Sequence, residues 1–111
     1  MVERSIVEAV RRYLRAVREK GLSPSFGVLF GSYVRGNADE WSDIDLLVIS
    51  PRFDEMRDRK DISLLWRLTV NTDKRIEPIP VGLNQWKTDD SSAIIEIARR
   101  EGEVIDLVET T

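Results

Sequence analysis

The sequence contains no cysteine and no histidine. Without cysteine there is no disulfide framework, no thiolate zinc site and no thiol nucleophile. Without histidine there is no imidazole base, no histidine metal ligand and no Ser-His-Asp triad. Metal chemistry is left to oxygen ligands, which select magnesium, manganese or calcium over zinc or copper. An excess of positive charge is also missing: 17 Lys and Arg stand against 20 Asp and Glu, a net charge of -3. That balance argues against autonomous nucleic-acid binding, although a local basic patch stays compatible with it. No apolar run approaches the roughly 20 residues that span a bilayer. Glu8, Arg11 and Arg12 interrupt the segment where a signal peptide would need an apolar core. The expectation is a soluble cytoplasmic protein with no membrane attachment.

Apolar residues make up 41% of the 111 residues and charged residues 33%, enough to build a core. Residues 1–111 read as one domain. Ile6, Val10, Tyr13, Leu14 and Val17 recur at helical spacing, which predicts an amphipathic helix over 5–20. Ser5 and Glu8 suggest a capping box at its start, and Gly21 and Pro24 end it. Phe26 to Phe30 reads as a buried strand. Residues 33–38 fit one helical turn or a loop, and Asn37 to Glu40 a loop. Asp43 to Ile49 is a second strand, stopped by Ser50-Pro51. A helix is favoured over 55–71. Arg75 to Val81 reads as a third strand, confined to an edge or a short stretch by Pro78 and Pro80. Ser91 or Ser92 caps a helix ended by Gly102, and 104–108 suits a last strand. Strands alternating with helices indicate an α/β (α+β) domain with a small mixed sheet flanked by helices.

Two short motifs carry the chemistry. On a strand, residues two apart share a face, so Asp43 and Asp45 stand side by side while Ile44 and Leu46 enter the core. Two such carboxylates repel, and one is pushed toward protonation unless a divalent cation lies between them. Gly31-Ser32 follows the first strand directly. Glycine lets a phosphate approach the backbone, backbone N–H groups at the start of a helical turn would donate to it, and the Ser32 hydroxyl adds a donor. Arg35 can meet phosphate oxygens from the same end. Each part alone has an ordinary explanation: a solvated Asp-x-Asp, a turn at Gly-Ser, a surface arginine. In combination they form a phosphate cradle facing a metal-binding pair, the two parts that phosphoryl and nucleotidyl transfer require.

Ten residues, Tyr33 to Ser42, separate Gly31-Ser32 from Asp43-Ile44-Asp45. This resembles the Gly-Ser, ten residues, Asp-x-Asp signature of the nucleotidyltransferase superfamily, the fold of DNA polymerase beta. The wider match, Gly-Ser-x-x-Arg-Gly through Ser-Asp-x-Asp-Leu-x-Val, is similar to the minimal nucleotidyltransferases of prokaryotes and is carried by residues 26–50. The resemblance implies that Gly31, Ser32, Arg35 and Ser42 bind the nucleotide, and that Asp43 and Asp45 ligate one or two Mg2+ ions, with Mn2+ as a substitute. It implies a third carboxylate from a later strand that helps deprotonate the acceptor hydroxyl. Glu77 is the candidate, with Asp73 and Asp61 behind it. Glu77 departs from the family's more usual Asp, and Pro78 follows it; a surface pairing with Arg75 is its other explanation. With no histidine, the base is a carboxylate or a metal-bound hydroxide.

The resemblance further implies transfer of AMP from ATP to a hydroxyl, with a HEPN-domain toxin as partner and a tyrosine of that toxin as acceptor, the chain acting as antitoxin. A fold that neutralises its partner by contact alone is the alternative. An unrelated α/β domain holding a sugar nucleotide on Asp43 and Asp45 is the more remote one. A homo-oligomer is also compatible. Trp41 either flanks the cleft or packs on a partner, and Trp66 reads as a core or half-buried aromatic. Tyr33 lines the pocket or faces solvent. Arg52, Arg57, Arg59 and Lys60, interleaved with acids, read as a solvated helix face.

Overall fold

A computed structural model describes residues 2–55 and 58–108. Arg57 of the expected basic helix face lies outside them. The first helix, α1 (Arg4–Glu19), buries Ile6, Ala9, Val10, Tyr13, Leu14 and Val17. Each fully buried large side chain of this stripe contributes on the order of 1.5–3 kcal/mol. The expected capping box is not formed. The helix begins one residue earlier with Glu3 at its cap, and Glu8 accepts from Arg4 Nε at 3.0 Å instead.

Strand β1 (Phe26–Phe30) leads into a four-residue helix, α2 (Ser32–Arg35). Strand β2 (Ile44–Ser50) follows the 36–43 loop and runs into a 3-10 turn at Pro51–Asp54. Helix α3 (Arg59–Val70) is shorter than the sequence suggests and starts at Asp58, whose side chain accepts from the Lys60 N–H at 2.9 Å. Then come β3 (Ile76–Gly82), α4 (Leu83–Thr88), α5 (Ala93–Glu101) and β4 (Glu103–Ile105). Ser92, not Ser91, caps α5, its hydroxyl accepting from Ile95 N–H at 3.3 Å.

The sheet order is β3-β2-β1-β4. β1 pairs antiparallel with both β2 and β4, and β2 pairs parallel with β3, so the sheet is mixed as expected. Alternation sorts β2 cleanly. Ile44, Leu46 and Val48 join the core under α1 and α3, while Leu47 and Ile49 face the second core beneath α5 and Trp86. Gly27 permits the first packing, since a Cβ there would sit 3.0 Å from both Leu14 Cδ1 and Leu46 Cδ1. Tyr13 joins α1 to α3 by donating to the Leu65 carbonyl at 2.7 Å.

Of the two expectations for Trp66 the half-buried one holds: it is 48% exposed, because α3 turns Leu65 and Leu68 inward and leaves Trp66 between them toward the outside. Arg52 leaves the helix face altogether and forms a bidentate pair with the buried Asp61 carboxylate at 2.7 and 3.3 Å.

Candidate active site

The candidate site lies at the end of the sheet nearest α2. Along β2, Asp45 shares its face with Leu47 and Ile49, but as the strand's second residue it is only partly buried. Register places Phe30 of β1 opposite Asp45, and Asp45 opposite Glu77 of β3. The parity of β3 explains why the prolines do no harm. Ile44 N–H donates to the Arg75 carbonyl at 2.8 Å, so Arg75, Glu77 and Ile79 turn their backbone groups toward β2. Pro78 and Pro80 therefore turn their missing N–H groups to the open edge of an edge strand.

Glu77 lies within hydrogen-bonding reach of both Asp43 and Asp45. The three carboxylates thus converge. Burial first, and then the proximity of Asp43 and Asp45, pushes Glu77 above the ordinary carboxylate range. Asp45 is also raised, chiefly by burial. Its hydrogen bond with Glu77 and the charge of Arg35 oppose that rise, and the charge of Asp43 adds to it. Both groups therefore hold a proton more readily than an ordinary carboxylate does.

Gly31 closes the site from the other side. Its φ of 85° is in the left-handed region, and a Cβ there would collide with the Asp45 carboxylate. The bend can lie against Asp45 only because it is glycine. Ser32 follows as the first residue of α2, and Arg35, exposed at the end of α2, acts electrostatically on Asp45.

The other expected site residues fall differently. Ser42 Oγ accepts from the Asp39 N–H at 2.9 Å and pairs with Asp39 Oδ1 at 3.2 Å, so it closes the loop that enters Asp43. Asp73 is held by Arg75 at 2.6 and 3.0 Å, and that pairing lowers its pKa. Asp61 is held by Arg52. Neither is free to serve as the third carboxylate, and Arg75, committed to Asp73, is not the partner of Glu77. Trp41 is 85% exposed two residues before Asp43. A cleft of about 450 Å³ between the start of α1 and the 36–40 loop is lined by Tyr33, Asp39 and Arg75, and by none of the converging carboxylates.

An all-oxygen donor set suits a hard cation. Among the described residues no group of three or more His, Cys, Asp or Glu side chains is placed to hold a metal ion. Mg2+ keeps waters and substrate phosphates in its shell, so one or two protein carboxylates can be enough to bind it. No helix among the described residues is long and apolar enough to cross a membrane.

Residues 10–109 match the nucleotidyltransferase domain family. This chain belongs to that family. Over 53 residues it is 38% identical to a protein of Methanocaldococcus jannaschii provisionally named a protein adenylyltransferase. That alignment covers 47% of this chain and 54% of the relative, so it spans about half the relative's length. The fold is shared with a crystal structure of a provisionally named nucleotidyltransferase from Sulfolobus solfataricus, at a TM-score of 0.62 and 15% identity over 88% of this chain and 77% of that one. It is shared also with a crystal structure of a toxin-antitoxin with AMP-PNP, at a TM-score of 0.58 and 19% identity over 91% and 74%. The small mixed sheet flanked by helices is the nucleotidyltransferase fold.

Proposed function

We propose that residues 1–111 form a single Mg2+-dependent nucleotidyltransferase domain that moves a nucleoside monophosphate, AMP from ATP, onto a hydroxyl acceptor. The observation that carries this is the meeting of Asp43, Asp45 and Glu77 beneath Gly31. Asp43, Asp45 and Glu77 hold the metal; Gly31, Ser32 and Arg35 receive the triphosphate; Ser42 acts through the loop it closes. Bound to these carboxylates, Mg2+ (or Mn2+) supplies charge neutralisation at the phosphates and polarises the α-phosphate.

The acceptor oxygen attacks the α-phosphorus in line. The new P–O bond forms as the bond to the bridging oxygen breaks, and pyrophosphate leaves with that electron pair. Glu77, whose carboxyl favours a proton more than an ordinary glutamate, takes the hydroxyl proton at a carboxylate oxygen. Ser32 and Arg35 donate to the non-bridging oxygens and hold the phosphate for attack.

The acceptor we favour is a tyrosine of a HEPN-domain toxin, with the chain acting as its antitoxin in the cytoplasm. Support comes from the relative named a protein adenylyltransferase and from the shared fold with a toxin-antitoxin structure. A contact-only antitoxin is the second reading, favoured by the openness of the carboxylate set and by the exposed Trp41 beside it. Incubation with α-labelled ATP, Mg2+ and a HEPN-domain protein encoded beside the chain separates them. Label on that protein, lost in Asp43→Ala and Asp45→Ala, supports transfer. Neutralisation that survives both substitutions without label supports contact alone.

A further inference from the structure

The groups assigned to the site come from three separate segments: Gly31-Ser32 ahead of α2, Asp43 and Asp45 at the entry to β2, and Glu77 on β3. One phenol oxygen, carried by Tyr33 on α2, touches the loop that enters β2 and is gripped from the residue ahead of β3. Arg75 Nη1 donates to Tyr33 Oη at 3.3 Å. Tyr33 Oη shares its proton between the Asp39 and Ser42 carbonyls, each at 3.4 Å. Arg75 is itself pre-ordered, since its Nη2 and Nε reach the Asp73 carboxylate at 2.6 and 3.0 Å, and its backbone N–H donates to the same carboxylate at 2.9 Å. Its carbonyl accepts from Ile44 N–H at 2.8 Å. Asp43 is therefore pinned on both sides, at the Ser42 carbonyl by Tyr33 and at the Ile44 amide by Arg75.

We propose that Tyr33, gripped by Arg75, is a positioning residue that sets Asp43 against Gly31-Ser32 and against Glu77; as a statement about catalysis this rests on the function proposed above. A phenyl ring would pack against the core as well as Tyr33 does. The hydroxyl links the loop to the guanidinium, and networks that orient metal-binding carboxylates act on affinity without touching the ion.

The test uses the full chain in two measurements. Amide hydrogen exchange of the metal-free protein reads the pinning itself, and Mn2+ titration followed by electron paramagnetic resonance reads its consequence. We expect Tyr33→Phe to speed exchange several-fold at residues 42–45 while leaving Val28 and Leu47 unchanged. We expect it to weaken Mn2+ binding roughly tenfold, with the thermal midpoint little moved. Arg75→Lys, which keeps a charge for Asp73 but loses the planar fork, is expected to act in the same direction and carries the test if Tyr33→Phe does not fold. Wild-type exchange at 42–45 in both variants overturns the proposal. So does faster exchange spread evenly over the sheet, which would mark a merely structural hydroxyl. A wild-type chain that binds no Mn2+ overturns the functional reading instead, and the pinning is then judged on exchange alone.

Discussion

Asp45 and Glu77 stand opposite each other in the register of the parallel pair β2–β3. That places two carboxylates on neighbouring strands of one sheet face, with Asp43 near both. The pH dependence of the metal-free protein follows. Glu77 and Asp45 are raised above ordinary carboxylate values, so between the ordinary and raised values the folded chain binds more protons than the unfolded chain. Stability from these groups then falls as pH rises through that window. We expect Glu77→Gln to raise the thermal midpoint at neutral pH in the presence of a chelator. The gain should vanish as pH drops below the ordinary carboxylate range, and added Mg2+ should stabilise the wild type but not the variant. Thermal melts across pH, with and without Mg2+, check all three outcomes.

Gly31 has a positive φ and no room for a Cβ beside Asp45. Gly31→Ala should cost about 1–3 kcal/mol, the range for a residue held in a disfavoured backbone region. It should also abolish nucleotidyl transfer by displacing Asp45. Chemical denaturation measures the first effect and label transfer the second.

Tyr13 gives the matching control. Its hydroxyl is buried, donates to Leu65 O at 2.7 Å, and lies far in sequence from the site residues. Tyr13→Phe removes that partner from a buried carbonyl and should lower stability by about 1 kcal/mol while leaving Mn2+ affinity unchanged. A loss of affinity in this variant would show that any weakened tyrosine disturbs the site.

Trp41 is 85% exposed. Trp41→Ala should shift the unfolding free energy by no more than about 0.5 kcal/mol, as for other surface positions. Equilibrium denaturation tests this, and with stability unchanged, any fall in partner labelling reports contact made by the indole.

The glycine–serine bend and the paired aspartates were legible in the sequence because local spacing sets them: a strand, a bend, and a period of two. Glu77 was legible only as a candidate, because its partnership with Asp45 depends on a strand register that pairs residues 32 positions apart, Ile44 with Ile76 and so on, which no local pattern encodes. The edge position that Pro78 and Pro80 call for is the one β3 occupies, because their missing N–H groups face away from β2. Helix α4 escaped notice. It is one short stretch, Leu83–Thr88, whose first N–H groups are capped from a distance: Asp54 accepts from Asn84 and Gln85 at 2.8 and 3.0 Å. For Trp66 the sequence left core and half-buried positions both open, and helix phase decides between them. The role of Tyr33 was invisible, since its partners Arg75, Asp39 and Ser42 meet only in the folded chain.

The most direct measurement is paramagnetic broadening of backbone amide resonances by substoichiometric Mn2+ in the presence of a non-hydrolysable ATP analogue. Broadening centred on Gly31, Ser32, Asp43, Asp45 and Glu77, and lost in Asp45→Asn, is the predicted result. Broadening centred instead on the cleft beside Asp39 and Glu40, or unaffected by Asp45→Asn, would contradict the assignment of these carboxylates as the nucleotide–metal site.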